Sequence, residues 1–243
     1  MERKNFLRTF AIAAAAGPMV LEACKKTASD DGTTTTTSSS STTVAGETPT
    51  ETEGPYPYVG GEITNPLQRV DVTDGQTGIP LALTLNVINI NNSKAVVPNV
   101  RVDIWQCNKD GYYSGYANQP GILGTQSYVG KTWLRGYQLS DTNGQVKFTT
   151  IYPGWYSGRA THIHIEVYIN NVLKKTSQMA FSETISNTVH VSTLYAAHGV
   201  NTTTNATDSV FGDSATDLAA EMLTLSGSVA AGYTGTFTIA LAL

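Results

Sequence analysis

Short runs in which apolar and polar residues alternate dominate the chain from about position 80 onward. Leu81–Ile90 is rich in β-forming residues and partly alternates. Val100–Cys107, Gln145–Ile151 and Thr161–Tyr168 alternate as well, and Thr236–Leu243 closes the chain. Turn-forming residues punctuate the chain around these runs: Asp74-Gly75, Asn91-Asn92-Ser93, Asp110-Gly111, Asn143-Gly144 and Asn170-Asn171. Only Asp217–Leu225 has the composition of a helix, and it is short. Many short strands with frequent turns predict an all-β fold, a β-sandwich, without internal repeats.

The N-terminal region breaks this pattern. Arg3, Lys4 and Arg8 form a basic head, followed by an Ala-rich apolar stretch from Phe10 to Leu21. The stretch is too short to cross a bilayer and has the form of a secretory signal. It ends at Leu21-Glu22-Ala23-Cys24, which resembles a bacterial lipobox apart from Glu22, where a small residue is usual. Arg3-Lys4-Asn5-Phe6-Leu7-Arg8 resembles a weakened twin-arginine export signal. A Thr/Ser tract from Thr33 to Thr43 follows. It has no apolar area to offset its ordering entropy and reads as a flexible tether. The expected organisation is a signal peptide over 1–23, a lipid-anchored linker over 24–46 beginning at Cys24, and a sandwich domain over 47–243. The chain would then be an exported, membrane-anchored lipoprotein, periplasmic or on the cell surface. The plainer alternative is a cleaved signal with an incidental cysteine.

Charge and cysteine content narrow the function. With 15 Lys+Arg against 19 Asp+Glu the net charge is −4, and five of the basic residues lie in the first 26 positions. A nucleic-acid partner is disfavoured. Cys24 and Cys107 are the only cysteines, which leaves no disulfide framework and no structural zinc site. Cys107 reads as a buried free thiol. The chemistry-bearing candidates are His162 and His164. Period two sends both imidazoles to one face of a strand and Ile163 and Ile165 to the other. Two such imidazoles are half of a metal site, or simply an exposed polar face. Glu166 shares their face but spreads along the strand instead of converging. Tyrosines are abundant nearby (Tyr112, Tyr113, Tyr116, Tyr152, Tyr156). Phenolate is a hard oxygen donor suited to Fe(III), although most of the 12 tyrosines must serve packing. Zinc or copper hydrolysis built on the two histidines lacks clustered carboxylates.

Two resemblances bear on these residues. Asp141-Thr142-Asn143-Gly144, Phe148, Pro153-Gly154 and Tyr156 resemble the hairpin of transthyretin-like sandwiches, which are often non-catalytic. This keeps open a surface module that binds a glycan, peptide or partner protein. A wider pattern resembles the intradiol ring-cleaving dioxygenases. It comprises Thr52-Glu53-Gly54-Pro55-Tyr56, Val102–Cys107 with Asp110-Gly111-Tyr112-Tyr113-Ser114-Gly115-Tyr116, Leu134–Gln138, and Thr150–His164. That resemblance implies a mixed β-sandwich with iron between the sheets. It implies Fe(III) held by Tyr113, Tyr156, His162 and His164, an active-site arginine at Arg159 and a substrate-side glutamine at Gln178. The implied reaction is cleavage of a catecholic ring by O2 between its two hydroxyl-bearing carbons, giving a cis,cis-muconate, with Tyr156 leaving the metal as substrate binds. Independently of the family, a guanidinium at Arg159 would stabilise carbanion-like charge in a dry pocket. Two departures leave the substrate open. The stretch from Tyr156 to His162 is shorter than in protocatechuate dioxygenases, and the helical N-terminal domain of catechol dioxygenases is replaced by the signal and tether. Trp155 reads as pocket wall, Trp133 as packing, and His190 and His198 as loop or surface residues.

Overall fold

The computed structural model describes residues 46–58 and 67–243, so the signal segment, Cys24 and the linker up to residue 45 lie outside the described residues. The strands are β1 (Pro80–Asn89), β2 (Ala95–Val96), β3 (Arg101–Trp105), β4 (Arg135–Leu139), β5 (Gln145–Ile151), β6 (His162–Ile169), β7 (Val172–Ala180), β8 (Thr224–Ser228) and β9 (Gly232–Leu241). Two short helices, α1 (Glu183–His190) and α2 (Ala215–Glu221), lie between β7 and β8.

One sheet runs β2-β1-β9-β8, with β5 also paired to β1. β1 and β9 are parallel, whereas β1–β5 and β8–β9 are antiparallel, so this sheet is mixed. The second sheet, β4-β3-β6-β7, is antiparallel throughout. Alternation explains the packing between them. Leu81, Leu83, Leu85 and Val87 of β1 point inward, together with Val146 and Phe148 of β5 and Phe237 and Ile239 of β9. They meet Val102 and Ile104 of β3 and Ile163, Ile165 and Val167 of β6. The chain is a mixed β-sandwich.

That packing corrects one expectation. Ile163 and Ile165 occupy the space between the sheets, so His162 and His164 face the other side of the four-stranded sheet. The candidate centre therefore lies on the outer face of that sheet. There it is roofed by a second apolar cluster of Tyr58, Trp105, Cys107, Tyr113 and Tyr116, with Tyr56 and Tyr156 packed against it. The expected helix over 217–225 is shifted: α2 ends at Glu221, Met222 is extended, and Thr224 begins β8. α1 stands where no helix is expected from composition.

An arm at residues 47–54 holds the sheets together along an edge. Thr48 N–H donates to Ala240 O at 2.9 Å, and Glu51 N–H donates to Thr176 O at 2.9 Å. Lys175 pairs with Glu47 at 2.9 Å.

Candidate metal centre

β6 supplies the two imidazoles, which stand side by side with ring centroids 4.7 Å apart. His162 Nδ1 lies 2.6 Å from Ala160 O. A carbonyl only accepts, so Nδ1 carries the proton and the lone pair of His162 sits on Nε2. That atom lies 3.1 Å from His164 Nε2. The His164 ring is stacked on Trp105, its β3 register partner, at 4.6 Å and 4°. Tyr113 Oη completes a triangle, 3.3 Å from His162 Nε2 and 3.0 Å from His164 Nε2. Tyr156 flanks it, with its ring centroid 5.8 Å from that of Tyr113 and 5.6 Å from that of His162.

The tyrosines are aimed by turns rather than strands. Tyr113 is held at both ends of its backbone by the buried amide of Gln119, which accepts from Tyr113 N–H at 2.7 Å and donates to Tyr113 O at 2.7 Å. Tyr156 follows Gly154, and the turn at 108–111 packs directly on that glycine. A Cβ on Gly154 would lie 2.5 Å from Lys109 O, so only glycine lets the two turns meet. The arm and the residues that continue it to Tyr58 complete the roof. Tyr56 stacks on Tyr113 with centroids 4.9 Å apart, and Gly54 passes so close that a Cβ there would lie 3.2 Å from His164 Cε1.

Burial sets the protonation of this group. It depresses both imidazoles, His162 to about 3 and His164 well below its ordinary value, with Arg159 adding to the effect at each. Burial also pushes Tyr156 up to about 12 and Tyr113 well above the ordinary phenol value. The protein's own groups therefore rest as neutral imidazoles and neutral phenols. Donor atoms 3.0–3.3 Å apart have the spacing of neighbouring ligands around one ion. The paired imidazole and phenol oxygen chemistry fits a hard trivalent iron. Among the described residues no three His, Cys, Asp or Glu side chains converge as a metal site, so an ion here depends on tyrosine oxygen.

Arg159 is a buried hub. Its Nε pairs with Asp208, its NH2 donates to Gln178 Oε1 at 2.6 Å, and its NH1 donates to Tyr156 Oη at 3.4 Å. Gln178, the register partner of His164, uses its amide nitrogen on Thr52 O at 2.9 Å. Arg135 is fully buried. It donates to Tyr56 O, Pro57 O, Ser114 O and Ser114 Oγ, and lies over the rings of Tyr58, Tyr113 and Tyr116 at 5.4–5.9 Å. Tyr56 and Arg135 lie in segments that carry the family resemblance but have no role assigned from sequence, and Gln119 and Asp208 carry no local signal at all for the distant groups they touch.

Trp155 does not line the tetrad. Its indole lies on the His198 ring at 4.4 Å and donates to Gly199 O. His190 ends α1 and His198 lies in the turn region that follows, as a loop residue, but both are buried beside Trp155 and neither is at the surface. Trp133 packs with Leu134 and Ile151, and Cys107 is a buried free thiol. Glu166, buried, accepts from Tyr168 Oη and stays out of the cluster.

A dioxygenase family model matches residues 52–193. Among solved structures the chain is similar to an intradiol ring-cleavage dioxygenase from Tetranychus urticae, at 27% identity and TM-score 0.70, over 80% of this chain and 94% of that one. It is also similar in fold to the dioxygenase domain of a carbohydrate-binding fusion from Streptomyces sp. SirexAA-E, at 23% identity and TM-score 0.56, over 80% and 97%. A third likeness in fold is to 3-chlorocatechol 1,2-dioxygenase from Rhodococcus opacus 1CP, at 18% identity and TM-score 0.54, over 79% and 71%. Comparison with curated proteins returns no match.

Proposed function

The chain belongs to the intradiol ring-cleavage dioxygenases, and from that premise we propose that it opens a catecholic ring with O2 between the two hydroxyl-bearing carbons, using Fe(III) held by Tyr113, Tyr156, His162 and His164. The observation that carries this reading is the triangle of Tyr113 Oη, His162 Nε2 and His164 Nε2, with edges of 3.0–3.3 Å. A sandwich that only binds a glycan or peptide has no use for such a cluster.

Bound ferric iron would act as a Lewis acid, acidifying the two catechol hydroxyls and drawing charge from the ring. The chain's own groups supply the rest. Tyr156, a neutral phenol in the protein alone, would hold the ion as its phenolate, and its Oη would then be the atom suited to take a proton from a substrate hydroxyl, with Arg159 NH1 3.4 Å away to offset part of the cost that burial puts on the charged form. The Arg159 guanidinium supplies positive charge where negative charge develops on the ring, in surroundings that exclude water. Trp105 and the Ala160 carbonyl keep the two imidazoles in orientation. The tyrosine roof keeps the site dry.

The test is turnover of a catechol panel by the ferric-loaded chain. Oxygen uptake with a muconate-type product supports the proposal. An iron-loaded protein that consumes no O2 with any catechol overturns it. We also propose, from the signal and Cys24, that the enzyme is exported and lipid-anchored, since an acylated cysteine bearing several chains binds membranes firmly. Cys24→Ser should move the protein from the membrane fraction to the soluble fraction.

A further inference from the structure

We propose that Asp208 is a positioning residue of this centre, fixing Arg159 directly and His162 through Ala160. The assignment rests on the functional reading above. Asp208 lies beyond the stretch 52–193 matched by the family model, on the turn that follows the short helix Asn205–Thr207, and it is buried.

Its carboxylate is saturated by donors. Both oxygens accept from Arg159 Nε, at 3.1 and 2.9 Å. Oδ2 also accepts from Ala160 N–H at 2.5 Å, and Oδ1 accepts from Val210 N–H at 2.7 Å and Phe211 N–H at 3.2 Å. Two consequences reach the centre. With Nε engaged, the guanidinium fork can turn only its other two nitrogens inward, where NH1 meets Tyr156 Oη and NH2 meets Gln178 Oε1. Ala160, clamped by its N–H to Asp208, offers its carbonyl to His162 Nδ1–H at 2.6 Å, which sets the imidazole tautomer. Burial alone would raise the Asp208 carboxyl, but Arg159 and the amide donors hold it below the ordinary value, so it stays an anion beside the guanidinium. Removing that charge would leave Arg159 buried and uncompensated next to the donor set.

The experiment uses the full ferric-loaded chain and Asp208→Asn, which keeps the shape of the side chain and one of its two acceptor oxygens but removes the charge. It is compared with Arg159→Met and with the double variant. We expect Asp208→Asn to lower kcat about 10–100-fold with little change in KM, to shift the visible band of the ferric protein and to weaken iron binding. We expect the double variant to cost less in kcat than the product of the two single losses. A folded Asp208→Asn with the wild-type band, iron affinity and kcat overturns the assignment, as do losses that multiply. Should Asp208→Asn fail to fold, Asp208→Glu, which keeps the charge but displaces it, is read for the same band, affinity and kcat. A wild type that neither binds ferric iron nor consumes O2 with catechols overturns the functional reading and this assignment with it. A coloured, active wild type beside an indifferent Asp208→Asn overturns this assignment alone.

Discussion

Gly54 marks how closely the arm is fitted over the donors. It holds φ +70° and stands 3.2 Å, from its would-be Cβ, to His164 Cε1. Gly54→Ala would incur a left-handed backbone penalty of about 1–2 kcal/mol and push on the imidazole. It should lower thermal stability modestly and ferric-iron affinity more sharply, read by calorimetry and by metal titration. An Ala variant with unaltered iron affinity would show that His164 has slack. At this scale the sequence exposes part of the site. His162, His164, Tyr113 and Tyr156 sit in motifs that can be read locally, and Arg159 lies three residues before the first histidine. Gln119 and Asp208 are silent, because a side-chain amide wrapped around a turn, or a carboxylate in a nest of backbone N–H groups, leaves no periodic trace.

Single elements carry two roles on opposite faces, and β6 is the clearest. Ile163, Ile165 and Val167 fill the space between the sheets while His162 and His164 face the roof. Ile165→Ala should destabilise the fold by about 2–5 kcal/mol, seen as a lowered denaturant midpoint, while the folded fraction keeps its ferric absorption. Loss of iron without loss of stability would contradict this division of faces. Alternation made β1, β3, β5 and β6 legible. β7 is not legible in the same way: its first three residues are exposed and its last six are all buried. The arm lies along its edge and erases the contrast between its faces. α1 is hidden for another reason. Its sequence ETISNTVH holds mostly weak helix formers, and burial of Ser186, Val189 and His190 fixes it.

Across the whole domain, acidic groups gather where the arm meets α2, with Glu221 buried and Glu51 half-buried. Burial, with Glu51, Asp213 and Asp217, pushes Glu221 up to about 9, and burial pushes Glu51 up to about 7. A folded carboxyl with a raised value retains a proton that the unfolded chain releases above its ordinary 4.5. The folded state then binds more protons, and this contribution to stability declines as pH rises from about 4.5 toward 9. Glu221→Gln should therefore gain thermal stability over wild type increasingly between about pH 5 and about pH 9. A gap that is flat or narrows with pH would contradict the assignment. At this scale the mixed sandwich and its family were legible from strand spacing and joint motifs, whereas the placement of the centre outside the inter-sheet core was not. Which face of β6 is roofed depends on the arm and the 107–134 excursion, whose paths no periodicity encodes. The most direct measurement of the central claim is the visible spectrum, with iron stoichiometry, of the ferric-reconstituted full chain beside Tyr113→Phe. One iron per chain is expected, with a burgundy tyrosinate-to-iron band that weakens or vanishes in the variant. A colourless wild type that takes up no iron would contradict it.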